Sequence, residues 1–180
     1  VDGRGKAADA APGGPIEALV KDGRVVLAID VRGFGETAPA KPKRYWNNEY
    51  PIAYMGVHLA RPLVGQRTED VRAALEVLVG REEVDAGKVR LVGIGRGGPV
   101  ALHAAALDDR IGEVVLRRSI ASWMDVVATP LCKRQLGGVV PGGLERYDLP
   151  DLVRAIAPRP VTVRETVDPT GEVKEAPKDE

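Results

Sequence analysis

The residues best suited to chemistry lie in a glycine-rich turn between two apolar segments. An apolar run, Val89–Val92, leads into the turn Gly93–Gly98, which reads Gly-Ile-Gly-Arg-Gly-Gly. Pro99 then suits the first turn of a helix, and the residues after it are nearly all small or apolar. Such a turn presents its central residue and its backbone N–H groups at the end of a strand, where a substrate or an anion can reach them. The central residue is Gly95, which has no side chain to attack a substrate.

Two histidines and one cysteine are available for acid–base, metal or thiol chemistry. His103 falls in the apolar segment after the turn, where we expect a hydrogen-bonded core residue. His58 lies in a segment expected to overhang the mouth of the site, and it is a candidate ligand-binding residue. Cys132 has no cysteine or histidine at ligand spacing, so the sequence predicts neither a metal site nor a reactive thiol.

The composition is that of an ordinary globular protein. The 180 residues include 26 basic and 26 acidic side chains, so no cationic surplus favours nucleic acid. Aromatic residues make up 4% of the chain, which leaves few rings for stacking on bases or sugars. No apolar stretch approaches the roughly 18 residues of a membrane span, and no segment assigns a localisation. We expect one domain without a nucleic-acid or membrane partner.

Strand-like and helix-like segments alternate along the chain. Apolar runs predict four strands, at residues 24–30, 89–92, 113–116 and 160–167. Periodicity and capping residues predict helices at residues 15–21, 49–61, 68–80, 99–107, 122–128 and 149–157. In the helix at 68–80, Thr68 is the expected N-cap and Gly80 the expected end. The alternation predicts a mostly parallel sheet with helices on both faces.

Three further motifs connect this arrangement to a known superfamily. Residues 30–37 read Asp-Val-Arg-Gly-Phe-Gly-Glu-Thr, in which the glycines permit a tight bend and the Asp and Arg hold loop backbone. Residues 61–70 read Arg-Pro-Leu-Val-Gly-Gln-Arg-Thr-Glu-Asp, and residues 157–160 read Ala-Pro-Arg-Pro. In this order, over about residues 24–170, the chain resembles the α/β-hydrolase superfamily, in particular its acetyl xylan esterase and dienelactone hydrolase branches. The resemblance implies hydrolysis of acyl esters through an acyl-serine intermediate.

The resemblance also implies a role for individual positions. The nucleophilic serine falls on Gly95, the triad acid on Asp168, and the oxyanion-hole N–H on the backbone of Arg96. No histidine follows His103, so the third triad position has no counterpart in this sequence. Without a serine nucleophile and a histidine base, we expect the chain to be catalytically impaired as a serine hydrolase.

Other positions are expected around the same site. The second oxyanion-hole segment falls on Asp2–Gly5. Glu36 and Thr37 follow a predicted strand and are expected to share a rim with the turn and to contact a ligand. In a hydrolase fold the Gly95 Cα lies within roughly 8–12 Å of Asp168, so that a histidine fits between them. No cofactor is expected.

The same glycines also match a different motif. Gly93-x-Gly95-x-x-Gly98 is the dinucleotide-binding fingerprint, and Arg117 and Arg118, about 20 residues further on, would suit the phosphate of NADP. That fingerprint usually opens the first βα unit, whereas here such a unit precedes it. The motifs at 30–37 and 157–160 have no place in this interpretation.

We therefore predict a partial α/β-hydrolase fold over residues 1–170, followed by a charged, flexible tail at 171–180. We expect the chain to be part of a larger polypeptide. The predicted function is that of an acetyl-xylan-esterase-type hydrolase with a small-molecule or carbohydrate ester as its substrate or ligand, and with impaired catalysis. The alternatives are a non-catalytic ligand-binding or scaffold domain and an NADP-binding domain.

Overall fold

The computed structural model describes residues 1–39 and 49–174, and within them a parallel sheet lies against α-helices. The strands, in the sheet order β1-β2-β3, are β1 (Val89–Ile94), β2 (Ile111–Arg117) and β3 (Val161–Arg164). The helices are α1 (Pro15–Lys21), α2 (Glu49–His58), α3 (Leu63–Val79), α4 (Gly97–Leu107), α5 (Trp123–Ala128) and α6 (Leu149–Ile156). The predicted α/β class and parallel sheet are confirmed.

The N-terminal residues extend the sheet beside β1. The Ile94 N–H donates to the Val1 carbonyl at 2.9 Å, and the Gly3 N–H donates to the Ile94 carbonyl at 3.0 Å. These bonds form a parallel bridge between Asp2 and Ile94. The N-terminal segment is therefore fixed next to the end of β1, where the glycine-rich turn begins.

Residues 24–30 do not form the fourth strand that their composition predicts. The segment has no regular secondary structure and no ladder partners among the described residues, and the position beside β1 is occupied by Val1–Gly3. Two of its apolar side chains are largely exposed, Val25 at 48% and Leu27 at 44%. A strand buried on both faces needs a neighbour on each edge and a layer on each side, and this segment lacks both among the described residues.

Helix α4 lies at the centre of the core. It packs against α3 on one side and α6 on the other, and it lies across β1 and β2. Its residues are mostly small and are buried around much of the helix. A Cβ added to Gly93 would lie 2.8 Å from the Ala101 Cβ, so the helix crosses the strand at very short range. This close packing sets the position of the α4 N-terminus relative to β1.

Helix α3 begins five residues earlier than predicted. It starts at Leu63 after Pro62, and Thr68 is an interior residue whose hydroxyl donates to the Val64 carbonyl at 2.9 Å. The N-cap role predicted for Thr68 is therefore wrong. Leu63 and Val64 are buried, and their burial favours the additional turn of helix. The predicted end at Gly80 is confirmed.

The beginning of the predicted tail is held to the domain. Val173 pairs antiparallel with Val167, and the Lys174 N–H donates to the Thr166 carbonyl at 2.9 Å. The Lys174 ammonium also donates to Asp125 on α5 at 2.7 Å. Residues 171–174 are therefore hydrogen-bonded to the domain, and residues 175–180 of the predicted tail lie outside the described residues.

Candidate functional site

The turn between β1 and α4 has the geometry of a strand-to-helix elbow. Gly95 has φ +56°, in the left-handed region that favours glycine. Its N–H donates to the Arg117 carbonyl at 2.8 Å, and its carbonyl accepts the Gly98 N–H at 3.0 Å. A Cβ added to Gly95 would meet nothing closer than the Arg118 carbonyl at 3.9 Å. The position at which the resemblance places a serine is therefore open space.

The backbone of Arg96 lies against the N-terminal segment. A Cβ added to Gly3 would lie 2.9 Å from the Arg96 nitrogen, so the two main chains are in close contact. The Arg96 N–H has no hydrogen-bond acceptor among the described residues. This N–H can donate to an oxygen of a ligand bound over Gly95. The segment Asp2–Gly5 thus lies beside the elbow, as expected.

The Arg96 side chain is bound beneath the turn in a buried charge cluster. Its guanidinium donates to Glu49 at 2.6 Å and to the Gly3 carbonyl at 2.7 Å. The other oxygen of Glu49 accepts from Arg67 at 2.7 Å. Both guanidinium groups lie over the Phe34 ring, at 4.0 Å for Arg67 and 4.8 Å for Arg96. The positive charge of Arg96 is therefore engaged by the protein itself.

This cluster was not anticipated from the sequence. Arg67 is 1% exposed, and burial lowers its pKa although the nearby Glu49 carboxylate raises it. Its position within the motif at residues 61–70 was the available signal, because that motif carries the resemblance. The charge of Arg67 by itself did not signal burial, since an arginine on a helix is usually solvent-exposed.

Asp168 follows β3 at the same end of the sheet as Gly95. Its Oδ1 accepts from the Thr170 N–H at 2.8 Å, from the Thr170 hydroxyl at 2.7 Å and from the Glu172 N–H at 3.0 Å. These bonds, with Thr170 contributing most, lower the pKa of Asp168. The carboxylate stabilises its own loop, and the neighbouring residues Val167 and Thr170 line a cleft together with Gly95.

The other predicted ligand-binding residues are engaged elsewhere or exposed. Glu36 is exposed and pairs with Lys6. The Thr37 hydroxyl donates to the Val31 and Phe34 carbonyls, so it is engaged by its own loop.

His58 is the last residue of α2 and is exposed. Its ring stacks edge-on against Tyr54 at 4.4 Å. Glu36, Thr37 and His58 are all absent from the lining of the two clefts that reach Gly95, although Gly35 and Ala38 line the larger one.

His103 is a core residue, as the sequence predicts. One ring nitrogen lies 2.6 Å from the Pro99 carbonyl and the other lies 2.9 Å from the Tyr147 hydroxyl. The carbonyl can only accept, so Nδ1 carries the proton and Nε2 accepts from Tyr147. Burial lowers the pKa of His103 and keeps it neutral. Trp123 packs against the same ring.

The two serines of the chain are also engaged elsewhere. Ser119 is 1% exposed, and its hydroxyl donates to the Ile120 carbonyl. Ser122 caps α5, where its hydroxyl accepts from the Met124 N–H at 2.9 Å and donates to Asp148. Neither histidine contacts either hydroxyl. No Ser–His pair therefore exists among the described residues.

Two clefts open onto the elbow. The first, which we call the elbow cleft, has a volume of 340 Å³ and is lined by Gly95 and Arg96, by Arg118 after β2, and by Lys133 and Arg134. The second is wider, at 920 Å³, and it includes the N-terminal segment and the Phe34 loop. Within residues 1–39 and 49–174, no group of three or more metal-ligating side chains occurs. No helix there is long and apolar enough to cross a membrane.

Comparison with known proteins identifies the family. The model of the alpha/beta hydrolase fold family matches residues 6–167, and the chain belongs to this family. Among solved structures, the chain is similar to a candidate acetyl xylan esterase from Bacteroides fragilis NCTC 9343, with a TM-score of 0.71 and 17% sequence identity over 82% of this chain. The chain spans 41% of the length of that protein. No curated protein matches it.

Proposed function

We propose that this chain is a ligand-binding domain of acetyl-xylan-esterase type that accepts a small acyl ester or acylated sugar in the elbow cleft. We further propose that it does not hydrolyse the ligand through an acyl-serine. It is then a hydrolase by descent, with catalysis lost or dependent on parts outside these residues.

The geometry of Gly95 carries the proposal. A serine hydrolase needs a hydroxyl at the elbow and a base to activate it. Gly95 keeps the left-handed backbone of the elbow and the open space above it, and it supplies no nucleophile. The Arg96 N–H has no acceptor among the described residues, which supports a role for it as a donor to a ligand oxygen without catalysis.

The size of the elbow cleft and the structural neighbour support the proposed ligand class. A volume of 340 Å³ falls within the range typical of small-molecule sites. The similar structure from Bacteroides fragilis is described as an acetyl xylan esterase candidate, which makes acylated sugars the first ligands to test.

Turnover and labelling assays test the catalytic part of the proposal. The protein is incubated with p-nitrophenyl acetate, with acetylated xylooligosaccharides and with a fluorophosphonate probe. We expect no turnover and no labelled serine. The variant Gly95→Ser is also expected to be inactive, because its hydroxyl has no base. Stoichiometric labelling of Ser119 or Ser122, or turnover by the unmodified chain, would overturn this part.

Binding assays test the ligand. Acetylated xylooligosaccharides are titrated by calorimetry against the protein and against a variant in which the cleft is obstructed, Gly95→Phe. We expect saturable binding that the substitution removes. NADP is titrated in parallel, because the glycines at 93, 95 and 98 also fit a dinucleotide fingerprint. Saturable NADP binding without ester binding would replace the proposed function with the dinucleotide alternative.

A further inference from the structure

We propose that the elbow cleft selects ligands that carry a carboxylate or phosphate group, and that Arg118, Lys133 and Arg134 hold this group. The inference rests on the proposed function, because it takes the elbow cleft as the ligand site. It adds a preference that neither the fold nor the esterase resemblance contains, namely that a ligand with a negative charge binds more tightly than an uncharged one.

The charge balance of the cleft is the first observation. Its charged lining residues are all cationic, namely Arg96, Arg118, Lys133 and Arg134. Arg96 is already paired with Glu49. The other three form no ion pair among the described residues, although the chain as a whole has equal numbers of basic and acidic side chains. The cleft therefore concentrates positive charge that no carboxylate of the described residues pairs with.

Three carboxylates around the elbow, those of Asp168, Asp2 and Glu49, do not neutralise this charge. Asp168 is outside the lining of the cleft, and its Oδ1 accepts three hydrogen bonds from its own loop. In the wider neighbouring cleft, Asp2 is bonded to Arg4 at 2.6 Å. Glu49 lies between Arg67 and Arg96. Each of these three carboxylates thus has a partner other than Arg118, Lys133 and Arg134.

The backbone fixes where these cations stand. Arg118 has φ +52° and Arg134 has φ +55°, which is uncommon for residues other than glycine. The Arg118 N–H donates to the Arg164 carbonyl at 3.0 Å, and the Lys133 N–H donates to the Pro169 carbonyl at 2.9 Å. The two loops that carry the cations are thus tied to β3 and to the loop after it.

The chemistry of these side chains determines the class of ligand. A guanidinium presents two parallel N–H donors that match a carboxylate or a phosphate, and an ammonium adds a compact charge. The Arg96 N–H offers a further donor at the same cleft. A cleft of 340 Å³ accommodates a single sugar-sized molecule. Acidic sugars and sugar phosphates share the required group, and the experiment separates them.

The test measures binding rather than turnover, so its outcome is independent of the esterase assays. The protein is titrated calorimetrically with glucuronate, glucose 6-phosphate and glucose at low and high salt. We expect at least one anionic sugar to bind about tenfold or more tightly than glucose, with an affinity that falls as salt rises. Tighter binding of glucuronate would show that the cleft prefers a carboxylate, and tighter binding of glucose 6-phosphate would show that it prefers a phosphate.

Charge-removing variants assign the binding to the cleft. Arg118→Gln and Lys133→Gln are each expected to weaken anion binding about tenfold. Lys133 is an exposed residue whose bond to Pro169 uses only its backbone, so its variant reports on binding even if Arg118→Gln fails to fold. Arg146→Gln, an exposed arginine outside both clefts, is the matched control and should bind normally. Equal affinity for glucose and both anions, no binding of any of them, or an equal loss in Arg146→Gln would overturn the proposal.

Discussion

Placing a serine at Gly95 should be far less costly to stability than placing a methyl group at Gly98, although both glycines lie in the same turn. At Gly95 the added Cβ has open space, with its closest neighbour at 3.9 Å, and the only cost is the left-handed φ of +56°. A residue other than glycine in that conformation costs about 1 kcal/mol. Gly95→Ser is therefore expected to lower the free energy of unfolding by about that amount.

At Gly98 the cost has a different origin. The added Cβ would lie 2.5 Å from the Ser119 Cβ, well inside van der Waals contact, while the backbone of Gly98 is ordinary helix. Relieving the overlap requires α4 to move away from the segment after β2, and overpacking of this kind costs about 3 kcal/mol. Gly98→Ala is therefore expected to be the more destabilising of the two by about 2 kcal/mol.

Urea unfolding followed by tryptophan fluorescence measures both values, because Trp123 is buried in the core. The two variants are compared with the unmodified protein under the same conditions, and the slopes of the transitions should agree. A Gly95→Ser variant that is destabilised as much as Gly98→Ala would refute the reasoning. It would mean that the space above Gly95 is closed in solution and that the elbow cleft is not available to a ligand.

Two further substitutions test the charge networks of the fold. Glu49→Gln should lower the free energy of unfolding by about 3–5 kcal/mol, because it leaves the buried Arg67 without its carboxylate. Glu17→Gln, at the exposed pair with Lys21, should have no measurable effect. Equal effects of the two substitutions in denaturant titrations would contradict the buried cluster. Hydrogen bonds from Arg110 lower the pKa of Asp108 from 3.8 to about 2, so this carboxylate stabilises the fold above pH 4 and the stabilisation is lost as pH falls through that range toward 2. Asp108→Asn should lower the free energy of unfolding by about 2 kcal/mol at pH 7 and flatten its decline between pH 6 and 2.5. A variant that keeps the original decline would show that Asp108 does not cause the acid sensitivity.

The elbow could be predicted from the sequence because its determinants are local. A short apolar run, closely spaced glycines and a run of small residues specify strand, turn and packed helix within twenty positions, and β1 and α4 are found there. The glycines also make the prediction ambiguous, since a dinucleotide site uses the same spacing for the same steric reasons. The motif at residues 30–37 removes that ambiguity at the level of the fold, and the family match over residues 6–167 agrees with it.

What the sequence could not predict depends on contacts between distant segments. Residues 24–30 have the composition of a strand, but a strand is defined by its neighbours. The apolar run does not reveal that no described residue pairs with it. Glu49 and Arg67 look like surface charges on two helices, and their burial follows from how α2 and α3 lie against the Phe34 loop. The cations of the elbow cleft come from two separate loops, so no spacing rule brings them together.

The loop after β3 has a consequence for anyone who wishes to build an esterase on this scaffold. All three hydrogen bonds to the Asp168 carboxylate fall on Oδ1, and Oδ2 accepts none from the described residues. A carboxylate anchored through one oxygen is fixed in orientation and can still offer the other oxygen to an imidazole N–H. Under the role that we propose for Asp168 as the triad acid, engineering leaves this carboxylate and its loop untouched. The design problem reduces to a hydroxyl at the turn and a segment that delivers a histidine between the two.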